Sequence, residues 1–111
     1  MTDKELLELA AKAADITLSH WDKTRNTFAP VIGVSGEWWN PLTDDGDAMR
    51  LAVNLAIRIY RNNESGYTSC DYVSLGKYSD DFIEFDNANE DEYAATRRAI
   101  VRAAAEIGKT L

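Results

Sequence analysis

The residues best suited to chemistry in this chain are arginines, tryptophans and closely spaced acids. Arg97, Arg98 and Arg102 are its main basic concentration, and Arg98 and Arg102 share a face at the i, i+4 spacing of a helix. A guanidinium presents its donors in a planar fork that grips a phosphate or carboxylate bidentately. The same arginines can pair inside the fold with Glu106, or with Asp44, Asp45 and Asp47, and internal pairing is the expected arrangement. Trp38 and Trp39 run directly into Asn40-Pro41. In extended backbone, adjacent side chains point to opposite sides. One tryptophan then faces the core and the other is free to stack on a ring or a partner side chain. The plainer outcome, in which both pack over helices, is the one expected. Trp38, Trp39, Asn40, Arg50, Arg97, Arg98 and Arg102 form the candidate ligand-contacting set, and the conditional ligand is small and anionic or nucleotide-like.

Asp44, Asp45 and Asp47 could hold a hard cation. An EF-hand loop needs a bidentate Glu eleven residues after its first Asp, and counting from Asp44 that position is Leu55. Capping of a following helix explains these acids more simply, so no metal is expected. His20 is the only histidine, and any triad chemistry would depend on it alone. Cys70 has no CxxC partner, and soft ligands are too few for a zinc site. Gly33, Gly36 and Gly46 make no phosphate-loop or dinucleotide fingerprint. Acids are plentiful, yet nothing singles out a hydrolytic pair. Neither enzyme activity nor a cofactor is expected.

The chain has 111 residues, enough for one domain with a modest core. Its net charge of -7 is concentrated: residues 80 to 92 carry seven acids and no base, and the remainder sums to zero. Broad nucleic-acid binding is disfavoured, because that affinity comes from Lys and Arg. Mimicry of nucleic acid by an acidic surface is a weaker alternative. No apolar run approaches the roughly 20 residues of a membrane span. Met1 to Glu5 opens directly into a helix pattern, which argues for a cytoplasmic protein without a signal peptide. A lone cysteine agrees with a reducing compartment.

The elements that position these residues can be read in order. Thr2 and Glu5 have capping-box spacing, and Leu6, Leu7, Leu9, Ala10, Ala13 and Ala14 give a helix over about 3–14. Alternation over Ile16–Trp21 predicts a strand with Ile16, Leu18 and His20 on one face. A polar turn follows at 22–27, then a β-rich run from Phe28 to Val34 interrupted by Pro30 and Gly33. Ala48, Leu51, Ala52 and Leu55 mark a second helix. It is read as ending near Leu55, with a strand from about Ile57 to Asn62; one continuous helix over 47–60 is the rival. Residues 62–66 read as a turn, Tyr67–Leu75 as a strand, and Tyr78–Phe85 as room for one more short strand. Asp86–Asp91 reads as loop. Glu92–Leu111 is the clearest helix, with Tyr93, Thr96, Ala99, Ile100, Ala103, Ala104, Ile107 and Leu111 on its apolar face. The expected architecture is a single α+β sandwich: a small, mostly antiparallel sheet against terminal helices, with a short central helix.

Three segments carry a family resemblance. They are Trp39-Asn40-Pro41-Leu42 followed by Asp44–Ala48 and Arg50-Leu51, the terminal Tyr93–Ala105, and the opening Lys4–Ala14. Together they resemble the small bacteriophage proteins of the phage ABA-sandwich domain family. The resemblance implies a phage or prophage accessory protein made in the bacterial cytoplasm, whose sheet lies against helices and which has no assigned reaction. The expected function is therefore binding: of a host protein, or alternatively of a small anionic ligand in an Arg/Trp pocket. The alanines of the last helix permit close approach of another element or a second subunit, so a homo-oligomer is also in view.

Overall fold

The computed structural model describes residues 1–29 and 38–111. The run from Pro30 to Val34, with Gly33 and Gly36, lies outside the described residues. Helix α1 spans Asp3–Ala13. Its capping box is formed: the Thr2 hydroxyl accepts from the Glu5 N–H at 3.2 Å, and the Glu5 carboxylate accepts from the Thr2 backbone N–H at 3.4 Å and from its hydroxyl at 3.0 Å. Those Thr2 contacts hold the Glu5 carboxyl below its ordinary range. The helix closes with Asp15 in the left-handed region (φ 57°), where Ile16 N–H donates back to the Ala11 carbonyl.

The strand expected over Ile16–Trp21 is largely not formed. Only Trp21–Asp22 (β1) is extended and paired, with Thr27–Phe28 (β2), around a turn at Asn26. Alternation is necessary for a half-buried strand but not sufficient, because the backbone also needs a ladder partner. The His20 carbonyl accepts from Ala29 N–H at 2.9 Å, continuing the β1–β2 pairing, but residues 16–19 belong to no strand ladder among the described residues.

Helix α2 spans Asp45–Leu55, and Asp44 caps it by accepting the Asp47 N–H at 2.8 Å. It stops because Ala56 turns left-handed (φ 53°) and Ile57 N–H folds back onto the Ala52 carbonyl. That geometry excludes the continuous helix and launches β3, Arg58–Asn62. Strands β4 (Tyr67–Asp71) and β7 (Phe82–Phe85) complete a three-stranded antiparallel sheet in the order β3-β4-β7. The expected single strand over 67–75 breaks at Tyr72, whose N–H donates to the Ser79 hydroxyl while its carbonyl accepts from Ser79 N–H. This clamp directs Val73–Ser74 (β5) and Lys77–Tyr78 (β6) into their own hairpin. Asp86–Asn89 forms one helical turn (α3) where loop was expected, with the Asn89 side-chain amide closing onto the Phe85 carbonyl.

Helix α4, Glu92–Lys109, is the centre of the molecule. Asp91 caps it, and Ala95, Ala99, Val101, Ala103 and Ala104 are fully buried along it. One side meets β4 and β7, another α2, and α1 lies along a third. Asp3 pairs with Arg98, Leu9 touches Gly108, and Lys12 reaches the Leu111 carbonyl, so α1 and α4 run parallel. At the tightest point a Cβ on Gly108 would stand 2.0 Å from the Leu9 carbonyl oxygen. Tyr93 and Leu111 are exceptions to the expected apolar face, at 62% and 65% exposed. Tyr93 projects into an uncovered gap between α2 and β3, and Leu111 follows the helix end. The result is an α+β sandwich whose small antiparallel sheets pack against the terminal helices.

Candidate functional site

Arg97, Arg98 and Arg102 pair internally, as expected, and the alternative in which they share a pocket does not form. Arg97 donates to the Leu42 carbonyl at 2.9 Å and to Asp45 at 2.6 Å. Arg98 pairs with Asp3 at 3.0 Å. Arg102 donates to Glu84 at 2.6 Å and to the Ile83 carbonyl at 3.0 Å. Each is engaged internally, and of the partners named from sequence only Asp45 is used; Glu106 pairs instead with Lys109. These contacts tie α4 to α2, α1 and β7, and serve as struts between elements.

The loop before α2 is similarly occupied. Trp39 packs against the core, and its backbone bridges Phe28. Trp38 is 36% exposed, with the Arg25 guanidinium 4.2 Å from its ring centroid. The two tryptophans therefore have different environments, as opposite-facing neighbours should. The Asn40 side-chain oxygen accepts from Leu42 N–H at 3.0 Å, and the Asn40 backbone N–H donates to Asp47 at 2.9 Å. Asp47 also receives Arg50 at 2.8 Å. A polar depression of about 460 Å³ lies here, lined by Arg25, Trp38, Asn40, Asp44, Asp47 and Arg50. Its charges balance, and Arg97, Arg98 and Arg102 do not reach it.

A second polar arrangement had no signal in the sequence. Thr68 is fully buried on β4, and its hydroxyl lies 2.7 Å from that of Thr96 on α4. Thr96 donates to the Glu92 carbonyl and Arg61 donates to Thr68 at 3.2 Å, so Thr68 donates to Thr96 and all the hydrogen bonds of the row point the same way. Arg61 also pairs with Asp86, whose carboxyl is held below its ordinary range chiefly by that hydrogen bond. Cys70, buried beside this row, has its thiol pushed up to about 12, chiefly by desolvation, so it is no nucleophile near neutral pH.

The outward face of the sheet is different in kind. Thr68 and Cys70 point inward on β4, so Tyr67, Ser69 and Asp71 point outward. The register places Tyr60 opposite Ser69, and Ser69 opposite Ile83; it places Tyr67 opposite Phe85. Tyr60, Ile83 and Phe85 are 58%, 40% and 51% exposed, and no described helix covers them. The rings of Tyr60, Tyr67 and Phe85 are contiguous, with centroids 6.2 and 5.8 Å apart. A depression of about 440 Å³ opens over Ser69, between Tyr60, Tyr67 and Ile83, with Arg58, Asp71 and Asp81 at its rim. Arg58 grips Asp71 with two donors, Nε at 2.8 Å, and lies 4.5 Å from the Tyr78 ring centroid. The alternation Tyr60, Tyr67, Ser69 was legible in the sequence, but the strand register that assembles it into a patch was not.

On the inner side, β3 is only partly covered. Ile59 points inward yet is 39% exposed, because α2 does not reach it. A cleft of about 500 Å³ remains there, bordered by Met49, Ile59, Tyr93 and Ile100. No described helix is long and apolar enough to cross a membrane. Compared with family models, curated proteins and solved structures, the chain gives no match.

Proposed function

We propose that this chain is a small, non-enzymatic phage or prophage accessory protein, made in the bacterial cytoplasm, that acts by binding another protein through the outer face of its β3-β4-β7 sheet. The observation that carries this reading is the contiguous, uncovered row of Tyr60, Tyr67, Ile83 and Phe85. Large exposed aromatics gathered on one face are the usual anchors of protein interfaces. Sequestration of an anionic ligand would need free arginines beside Trp38 or Trp39, and Arg97, Arg98 and Arg102 instead hold carboxylates. That contrast favours a protein partner. The acids of residues 80–92 also favour it over a nucleic-acid mimic, since Glu84 and Asp86 are consumed in ion pairs and Asp91 in a helix cap.

The test places a photo-reactive phenylalanine analogue at Tyr60 or Phe85, and at Val53 on the exposed side of α2 as control, with irradiation in bacterial cells. A discrete cross-linked product from both sheet positions and none from Val53 is expected. Equal patterns from all positions would overturn the proposal. A product of twice the chain mass, with sedimentation showing a dimer, would identify a second copy as the partner.

A further inference from the structure

We propose that the depression over Ser69 receives one basic side chain, a lysine or arginine, from the partner protein. This rests on the outer face being the interaction surface, and it names the chemistry that surface selects. The depression exists because a small residue sits between large ones in a cross-strand row: Tyr60 on β3, Ser69 on β4, Ile83 on β7. Tyr67 bounds it along β4 on one side, and the Arg58–Asp71 pair bounds it on the other.

The electrostatics of this basin are lopsided. Arg58 and Asp71 neutralise each other through their two-donor grip. Asp81, at the rim, has no ion-pair or hydrogen-bond partner among the described residues. One uncompensated negative charge therefore borders a hollow walled by two tyrosines. The faces of aromatic rings attract cations. A cationic side chain satisfies the rings and Asp81 together, and its aliphatic stem lies along Ile83. An acidic side chain would meet Asp81, and an apolar one would leave that charge uncompensated.

The wider field agrees. Asp80 adjoins Asp81 on the exposed approach to β7, and the chain as a whole carries -7. Such a field draws in basic partners and repels a second copy bearing the same acids.

The test is an amide NMR titration of the full ¹⁵N-labelled chain with Nα-acetyl-lysine amide and Nα-acetyl-arginine amide. Nα-acetyl-norleucine amide, which lacks the charge, is the control. Saturable shifts centred on Tyr60, Ser69 and Ile83 are expected with the basic probes and not with the neutral one. Asp81→Asn should weaken them by at least about threefold, and Ser69→Leu should abolish them, each with the dispersed spectrum of a folded chain. Shifts spread evenly over the acids of 80–92, an equal response to the norleucine probe, or indifference to Asp81→Asn would overturn the proposal. Cross-linking at Tyr60 without this response overturns the receptor alone. The response without cross-linking upholds the cationic site and overturns the protein-partner reading.

Discussion

Two surfaces of this small sandwich are built by opposite rules. Where α1 lies along α4, side chains shrink until backbones nearly touch: Ala10, Ala11, Ala104, Ala105 and Gly108 are buried, and the charges at the margin are paired, Arg98 with Asp3. On the outward side of the sheet, side chains are large and uncovered, and Asp81 stands without a partner among the described residues. Close packing of small residues can be used only once, by a neighbour that is already there. An aromatic face with an open hollow has its neighbour still to come. The alanines of α4 that suggest a subunit contact in the sequence are taken up by α1 and the sheet, which moves the expected interaction surface to the other side of the molecule.

If that contrast is right, the largest effect should come from the α1–α4 contact. Gly108→Ala removes the helix-propensity penalty of glycine, worth about 1 kcal/mol. It also drives a methyl group to 2.0 Å from the Leu9 carbonyl, which is backbone and cannot swing aside. Overpacking of this kind costs about 1–3 kcal/mol, toward the upper end here, so urea unfolding should show a net loss of about 2 kcal/mol. Unchanged or increased stability would mean that the two helices can slide apart without cost, and the contrast between the surfaces would lose its basis.

The polar layer between sheet and α4 should respond next. Thr96→Val keeps the shape but leaves the buried Thr68 hydroxyl, which is fully buried, without its acceptor. A stranded buried donor costs about 1–3 kcal/mol. Thermal unfolding should place Thr96→Val clearly below the wild type, and Thr96→Ser, which keeps the hydroxyl, close to it. If Val and Ser behave alike, the hydroxyl chain contributes nothing.

The positions of α1, α2 and α4, the first two caps and the end of α2 were approachable from sequence, because each rests on local chemistry: the Thr2–Glu5 box, the Asp44 cap, the alternation from Leu55 onward. What could not be read depends on partners far along the chain. Ile16–Trp21 has the alternation of a strand and almost none of the pairing. Tyr67–Leu75 breaks because Ser79 clamps Tyr72. The fates of Arg98 and Arg102 were decided by Asp3 and Glu84, which adjoin them only after folding. The hollow over Ser69 needed the registers of both flanking strands.

The half-buried ion pairs at the ends of the sheet give a smaller, pH-dependent effect. Asp71 and Asp86 have carboxyls lowered from the ordinary value of 3.8, in each case chiefly by the hydrogen bond from Arg58 or Arg61. A carboxyl depressed in the folded state stabilises fully above its unfolded value, and that stabilisation is lost as pH falls through the folded one. Melting temperatures of wild type and Asp86→Asn should differ most near neutral pH and converge as the pH falls below the ordinary carboxyl range and through the depressed folded value. Both pairs are partly open to solvent, which screens them, so the separation should be modest. Parallel curves throughout would remove Asp86 from the acid response.

The smallest stability effect should be at the surface argued to matter most for binding. Tyr60→Thr combined with Ile83→Thr strips large side chains from the outer face while keeping β-branched residues suited to strands. Exposed positions away from caps and cores usually move stability by less than about 1 kcal/mol even when an aromatic pair such as Tyr60–Tyr67 is lost. Urea unfolding of the double variant should therefore nearly overlay the wild type, while cross-linking through Phe85 disappears. A stability loss as large as that of Gly108→Ala would show that the tyrosine and isoleucine hold the sheet together, and the face would then be an outlying part of the fold. Retained cross-linking with retained stability would shift the contact toward Phe85 and the β5–β6 hairpin, where Leu75 is almost wholly exposed. A residue that stabilises little and is nonetheless large, apolar and uncovered is best explained by what binds it, and the pairing of a silent unfolding curve with a lost cross-link is the result that separates that explanation from packing.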